Sequence, residues 1–147
     1  MIKSPLLGSE KLLQCLQDQL GPGRKALLIA VDGVDGVGKS SLASWLGWQL
    51  GMPTVHLDFY VIRESSPLRW MTDELARMIG TRLDIGRPVI VEGIRILDAL
   101  DQIKRSPDFL IYVRGADRHS FSRELSEYRM RQKPEVRAQF SLEGFSD

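Results

Sequence analysis

A glycine-rich stretch between two apolar segments is the strongest constraint on how this chain can fold. Residues 33–40 read GVDGVGKS, in which the glycines, the lysine and the serine have the spacing of a phosphate-binding loop. Such a loop surrounds a polyphosphate with inward-pointing backbone N–H groups, which requires conformations open mainly to glycine. The apolar run 26–31 precedes the loop, and a helical pattern follows it over residues 39–50. The sequence therefore predicts a buried strand, a phosphate-binding loop and a helix, in that order.

The residues of this loop have separate expected roles. Lys39 is expected to reach the β- and γ-phosphates of a nucleotide, and the Ser40 hydroxyl is expected to bind Mg²⁺. The helix that begins near Lys39 adds the positive end of its dipole. ATP is the expected donor, because no clear guanine-reading motif follows the last predicted strand. The residues expected to hold the nucleotide are Gly33, Val34, Asp35, Gly36, Val37, Gly38, Lys39, Ser40 and Ser41.

Strand and helix patterns alternate along the whole chain. Apolar runs predict strands at 26–31, 54–60, 88–92 and 109–113, and periodic patterns predict helices at about 9–20, 39–50, 68–83 and 96–104. Strands separated by helices predict an α/β fold of three layers, with a parallel sheet of four to five strands flanked by helices. No linker or repeat divides the sequence, so residues 1–147 are expected to form a single domain.

Two carboxylates stand where predicted strands end. Asp58 lies in HLDFY and Glu92 in PVIVEG. Ligands of parallel sheets bind at the carboxyl ends of strands, so both residues are expected to approach the loop. Asp58 could then accept a proton from an acceptor hydroxyl, and Glu92 could hold Mg²⁺ directly or through water. The alternatives are an aspartate that caps a turn and a glutamate in a structural salt bridge.

Arginines are concentrated after the fourth predicted strand. Arg118 and Arg123 are expected to belong to a short lid, about residues 115–133, that closes over the transferring phosphate. The alternative is a solvated helical face on which Glu124 and Glu127 are their partners.

The tryptophans and histidines are expected to have structural roles. Trp45, Trp48 and Trp70 are assigned to the core, as large apolar side chains usually are. His56 and His119 have no partners at the spacing of a metal site, so they are read as structural.

Composition excludes several classes of protein. The net charge of the 147 residues is +1, which gives no basic excess for binding nucleic acid. The single cysteine, Cys15, excludes an internal disulfide framework. No apolar run approaches the roughly 20 residues that cross a bilayer, so no membrane partner is expected and the cytoplasm is the expected compartment.

Four stretches together resemble the uridine kinase-like branch of the P-loop nucleoside and nucleotide kinases. They read LLIAVDGVDGVGKSSLASWL, VHLDFY, VIVEGI and FLIYVRGAD. The resemblance covers residues 26–60 well and 88–129 loosely. It implies a P-loop NTPase fold and the use of ATP and Mg²⁺. It further implies Asp58 as the base near the acceptor hydroxyl, Ser40 and Glu92 as Mg²⁺ residues, and Arg123 and Arg118 in the lid.

The chain also departs from that family. The family often has two acids before the FY pair, whereas Asp58 stands alone here. The segment that follows reads VIRESSPLRWMTDEL and lacks the Asp- and His-rich character of uridine kinases. The last strand is expected to be shortened or missing, because the chain ends soon after Pro134, and a four-stranded sheet would follow.

Three functions fit these residues. The leading hypothesis is an ATP- and Mg²⁺-dependent kinase that phosphorylates a hydroxyl of a small molecule such as a nucleoside. The second is a nucleotide-binding regulatory module with little or no transfer activity, which the short lid favours. The third is a nucleoside monophosphate kinase, which needs more arginines around the acceptor phosphate. Formation of a homodimer is left open.

Overall fold

A computed structural model describes residues 3–115 and 123–145 of the chain. Its strands are β1 (Leu28–Gly33), β2 (Thr54–His56), β3 (Val89–Glu92), β4 (Phe109–Arg114) and β5 (Phe140–Glu143). Its helices are α1 (Ser9–Leu20), α2 (Lys39–Leu50), α3 (Thr72–Leu83), α4 (Ile96–Gln102), α5 (Arg123–Gln132) and α6 (Pro134–Arg137). A 3₁₀ turn, Leu57–Tyr60, follows β2 directly.

The five strands form one sheet in the order β2-β3-β1-β4-β5, and every neighbouring pair is parallel. The predicted α/β fold, with a parallel sheet of four to five strands flanked by helices, is therefore confirmed. The last strand, expected to be shortened or missing, is present as the four residues of β5, which pairs with β4 in register with Leu142 opposite Val113. The short segment gave little signal, since Leu142 is its one fully buried residue.

The core explains why the strands form where they do. Every residue of β1 and β3 is buried, which matches the continuously apolar runs that precede Asp32 and Glu92. Each fully buried apolar side chain contributes roughly 1.5–3 kcal/mol, so burial of these central strands contributes strongly to the stability of the fold. Among the described residues, no helix has both the length and the apolar character to cross a bilayer.

Two predicted elements have different limits because their residues pair elsewhere. The second strand ends at His56, because the next four residues form a 3₁₀ turn. Leu57 in this turn packs closely against Gly93: a Cβ placed on Gly93 would lie 2.6 Å from the Leu57 Cβ. The third helix begins at Thr72 and not at 68, because residues 69–71 are extended. Trp70 forms an antiparallel bridge with Val61 there.

The prediction that Trp48 lies in the core is wrong. Its side chain is 71% exposed, whereas Trp45 on the same helix and Trp70 are buried. Trp48 faces the turn before β2, where an open cleft bordered by Met52 and Pro53 leaves the ring in contact with solvent.

Candidate functional site

The predicted phosphate-binding loop connects β1 to α2 at the carboxyl edge of the sheet. Two of its glycines are required by geometry. Gly38, immediately before α2, has φ 105°, which L side chains rarely adopt. A Cβ on Gly33 would lie 2.6 Å from the carbonyl oxygen of Val113 on the neighbouring strand. The glycine pattern therefore permits both the turn of the loop and its close packing against β4.

Lys39 lies inside the loop and is only 6% exposed. Its Nζ donates a hydrogen bond of 2.8 Å to the carbonyl of Val34. Burial lowers the pKa of Lys39 below its ordinary value, and the surrounding carboxylates, Glu92 foremost, oppose that shift. The helix dipole and the lysine thus place positive potential at the same point.

Ser40 and Glu92, the predicted Mg²⁺ residues, are in direct contact. The Ser40 hydroxyl donates to Glu92 Oε1 at 2.9 Å, although the two residues are 52 positions apart in the sequence. The sheet brings them together, because β3 lies beside β1 and Val31, just before the loop, is opposite Glu92. Glu92 is 2% exposed, so its carboxylate is fixed by the fold.

His56 also contacts Glu92, which the sequence did not indicate. His56 Nδ1 lies 2.7 Å from the same Glu92 Oε1, and the two residues are opposite each other in the β2–β3 register. The one feature of the sequence that could have indicated this contact is that both residues end a strand. His56 and Ser40 therefore both contact one oxygen of the Glu92 carboxylate. His119 lies outside the described residues.

The oxygen donors fit a magnesium ion. Mg²⁺ prefers carboxylate and hydroxyl oxygens, retains several waters and is usually completed by substrate phosphates. Ser40 and Glu92 supply two such oxygens beside the loop. Within residues 3–115 and 123–145, no group of three or more His, Cys, Asp and Glu residues could hold a metal alone. This donor set therefore matches Mg²⁺ that binds together with a polyphosphate.

Asp58 lines the same cleft as the loop. The cleft has a volume of about 260 Å³, and Glu92 and Gly93 also line it. Asp58 contributes to the charge around Lys39 and is itself exposed. The predicted nucleotide residues that line the cleft are Asp35, Gly36, Gly38, Lys39, Ser40 and Ser41. Gly33, Val34 and Val37 lie behind them, and the latter two are buried.

The arrangement can be compared with known structures. Sequence comparisons with family models and with curated proteins give no match. A possible uridine kinase from Bacillus stearothermophilus is similar in structure, with a TM-score of 0.67 at 14% identity over 91% of this chain and 96% of that chain. The chain has the fold of a P-loop kinase. A gluconokinase from Sinorhizobium meliloti 1021 also matches, with a TM-score of 0.53 at 18% identity over 84% of this chain and 86% of that chain. The resemblance to P-loop kinases is thus confirmed at the level of the fold.

A residue that follows β5 packs against the phosphate-binding loop. Phe145, just after β5, donates its backbone N–H to the carbonyl of Val37 at 3.0 Å. A Cβ on Gly38 would lie 3.1 Å from the Phe145 ring, so the ring packs directly on the loop. Phe145 also lines the cleft. The sequence did not indicate this contact, because the last strand was expected to be shortened or missing.

The arginines of α5 are paired with acids rather than directed at the cleft. Arg123 is 92% exposed and donates to Glu127 at 3.0 Å, one turn along the helix. This arrangement is the solvated face considered as the alternative for Arg123. Arg129 pairs with Glu135, and Arg131 pairs with Asp98. Arg118 lies outside the described residues, so its place in a lid, like that of Arg123, stays a prediction.

Asp32 connects the loop to α5. The Tyr128 hydroxyl donates to Asp32 Oδ2 at 2.6 Å, and the Gly33 N–H donates to Asp32 Oδ1 at 2.8 Å. These two hydrogen bonds link the start of the loop to α5 through one buried carboxylate. Burial raises the pKa of Asp32 to about 6, despite these hydrogen bonds. Burial and the Asp32 charge also raise the pKa of Tyr128, which keeps its hydroxyl protonated as the donor.

Proposed function

We propose that this chain is an ATP- and Mg²⁺-dependent kinase that transfers the γ-phosphate to a hydroxyl of a small molecule, with a nucleoside as the first candidate. The observation that supports the proposal most is the position of Asp58. Its carboxylate lines the cleft in which Lys39, Ser40 and Glu92 meet. A carboxylate beside the phosphate end of the cleft is what hydroxyl phosphorylation requires.

Each residue has a definite task in this reaction. The loop N–H groups and Lys39 bind the β- and γ-phosphates and stabilise the charge that develops during transfer. Ser40 and Glu92 would hold Mg²⁺, which supplies further neutralisation of that charge. Asp58 orients the acceptor hydroxyl and accepts its proton, while the hydroxyl oxygen bonds to the γ-phosphorus and ADP leaves. Arg123 and Arg118 close over the phosphates when both substrates are bound. We expect the reaction to take place in the cytoplasm.

A second cleft supports a ring-containing acceptor. It has a volume of about 580 Å³ and shares Asp58 with the first cleft. Phe59, which is 75% exposed, lines it together with Val61, Ile62, Arg63 and Met71. This mainly apolar wall suits a base or another planar ring, with the hydroxyl directed at Asp58.

Two alternatives make different demands on these residues. A nucleoside monophosphate kinase must bind a phosphate on its acceptor, and Arg63 is the single cation among the described residues that line the acceptor cleft. A regulatory module would bind ATP without transfer. The pairing of the α5 arginines with acids favours that possibility as the second candidate.

The test is a transfer assay with γ-labelled ATP, Mg²⁺ and a panel of nucleosides, nucleoside monophosphates, sugars and small alcohols. We expect label on an uncharged hydroxyl acceptor, with kcat about 10²- to 10⁴-fold lower in Asp58→Asn. The matched control is Asp73→Asn, an exposed acid on α3 that should leave kcat unchanged. ATP binding without transfer to any acceptor would favour the regulatory module. Transfer only to nucleoside monophosphates would favour a nucleoside monophosphate kinase.

A further inference from the structure

The edge of the sheet opposite the kinase cleft carries three arginines close together. Arg24 precedes β1, Arg82 lies in the last turn of α3, and Arg87 precedes β3. Two adjoining clefts run between them, of about 710 and 390 Å³, and both are lined by Gly51, Arg82 and Arg87. We call this surface the arginine groove and define it by Arg24, Trp48, Arg82 and Arg87.

No acid in the described part of the chain neutralises the charge of the arginine groove. None of its three guanidinium groups forms an ion pair within residues 3–115 and 123–145, and no Asp or Glu among them lines either cleft. Elsewhere, arginines do pair with acids, as Arg105, Arg114 and Arg131 do. Three unpaired guanidinium groups side by side repel one another, which an anion between them would relieve.

Arg82 has a donor that lacks a partner. Its Nη2 donates to the carbonyl of Pro88 at 3.3 Å, but its Nε is buried and makes no hydrogen bond within the described part of the chain. Buried N–H groups nearly always have a partner, because leaving one unsatisfied is costly. Because this Nε is shielded from solvent, a phosphate in the cleft would meet the outer Nη groups of the planar guanidinium and not Nε.

Trp48 adds a planar surface to the groove. Its ring is 71% exposed and lines the larger cleft with Arg82 and Arg87. An exposed indole beside arginines can stack on an aromatic ring while the arginines bind an attached anion. The volume of the larger cleft lies within the range of small-molecule sites.

We propose that the arginine groove is a second binding site, for a phosphate-bearing small molecule with a planar ring, which is the chemistry of a nucleotide. The phosphate contacts Arg82 and Arg87 with Arg24 beside them, and the ring stacks on Trp48. The groove is at the C-terminal end of α2 and the kinase cleft is at its N-terminal end. A 12-residue helix is about 18 Å long, so the two sites can be occupied independently. The proposal does not rest on the proposed kinase activity.

The test uses AMP, UMP and inorganic pyrophosphate as probes in a Lys39→Ala background, which weakens binding at the loop. Calorimetry measures affinity, and the indole N–H signal of Trp48 in an NMR spectrum reports where each probe binds. We expect all three probes to bind and both nucleotides to shift the Trp48 signal. Arg87→Gln should weaken the three probes about tenfold. Arg77→Gln, which removes the same charge from an exposed position on α3, should have no effect.

A further variant separates the ring from the phosphate. Trp48→Ala should weaken AMP and UMP by about fivefold and leave pyrophosphate unchanged, because only the nucleotides stack. Equal effects on all three probes, or none, would overturn the ring part of the proposal. Absence of binding in the Lys39→Ala background, or binding that Arg87→Gln leaves unchanged, would overturn the site itself. Thermal unfolding of Arg87→Gln confirms that the variant is folded, as expected because the Arg87 side chain donates no hydrogen bond to another described residue.

Discussion

The phosphate-binding loop and helix α5 place their charges in opposite ways. Around the loop, Lys39, Ser40, Asp58 and Glu92 come from three parts of the chain and meet at one cleft. On α5, three arginines pair with acids on the same helix or on neighbouring elements. The side chains around the loop therefore already converge on one cleft, whereas an α5 arginine must leave its acidic partner before it can reach that cleft.

The anchoring of α5 depends chiefly on Asp98. Its two carboxylate oxygens accept hydrogen bonds from Arg95, Arg131 and Gln132. Burial alone would raise the pKa of Asp98, but these hydrogen bonds outweigh it and hold the pKa well below its usual range. Asp98 on α4 and Glu92 on β3 are both buried carboxylates that accept hydrogen bonds. Glu92 lines the cleft, whereas Asp98 stabilises the packing of α5.

The largest effect is expected where the two regions meet, at Asp32. The pKa of Asp32 in the folded protein, about 6, is above its ordinary value of 3.8. Its contribution to stability is therefore fully present below pH 3.8 and is lost as the pH rises through 6, a loss of about 3 kcal/mol. In Asp32→Asn this loss should disappear, so the free energy of unfolding of the wild type should fall relative to the variant between pH 3.5 and 7. Denaturant unfolding followed by circular dichroism at each pH measures it, and parallel pH profiles would refute it.

Lys39→Ala tests the loop side of the comparison. Removing a buried ammonium that faces the phosphates should weaken ATP binding about 100-fold, because hydrogen bonds to charged groups are worth about 1.5–3 kcal/mol each. Isothermal titration calorimetry gives the affinity. Lys25→Ala, an exposed lysine before β1, is the control and should bind ATP as the wild type does. Equal affinities for the two variants would remove Lys39 from the site.

Asp98→Asn tests the α5 side. Replacing one carboxylate oxygen by an amide nitrogen should lower the free energy of unfolding by about 2 kcal/mol. Arg95 and Arg131 then lose the negative charge and one of the two acceptor oxygens to which they donate. ATP affinity should change less than twofold, since Asp98 is remote from the cleft lining. The control is Asp84→Asn, which removes an exposed pair with Arg105 and should alter stability little. A large loss of ATP affinity in Asp98→Asn would contradict the separation of the two regions.

The smallest effect is expected for Arg123→Gln. An exposed pair at this helical spacing contributes about 0.3–0.5 kcal/mol, so unfolding should be almost unchanged. ATP affinity should stay within twofold, while kcat should fall about fivefold if the guanidinium meets the phosphates only on closure. Steady-state kinetics and calorimetry together measure this split. A tenfold loss of ATP affinity would mean that Arg123 already acts in the open protein.

Sequence reasoning succeeded where a feature depended on local pattern. The apolar runs of β1, β3 and β4 and the glycine spacing of the loop fixed the core of the fold. The parallel topology then brought Asp58 and Glu92 to the loop, since Glu92 ends β3 and Asp58 lies in the 3₁₀ turn directly after β2.

The remaining features depend on contacts between distant segments. The pairing of β5 with β4 is non-local, and its four residues carry little pattern of their own. The contact of His56 with Glu92 follows from strand register, which a single sequence does not display. The exposure of Trp48 is different, because helical periodicity indicates it: Trp48 lies on the same face of α2 as the exposed Ser41 and Ser44, opposite the buried side chains of that helix.

The most direct test of the proposed phosphate site is a crystal structure with Mg²⁺ and a non-hydrolysable ATP analogue. We expect the N–H groups between Gly33 and Ser41 to hold the phosphates, with Mg²⁺ on the Ser40 hydroxyl. The terminal phosphate should lie between Lys39 Nζ and the Asp58 carboxylate. An analogue bound away from the loop, or a terminal phosphate that Asp58 does not face, would contradict it.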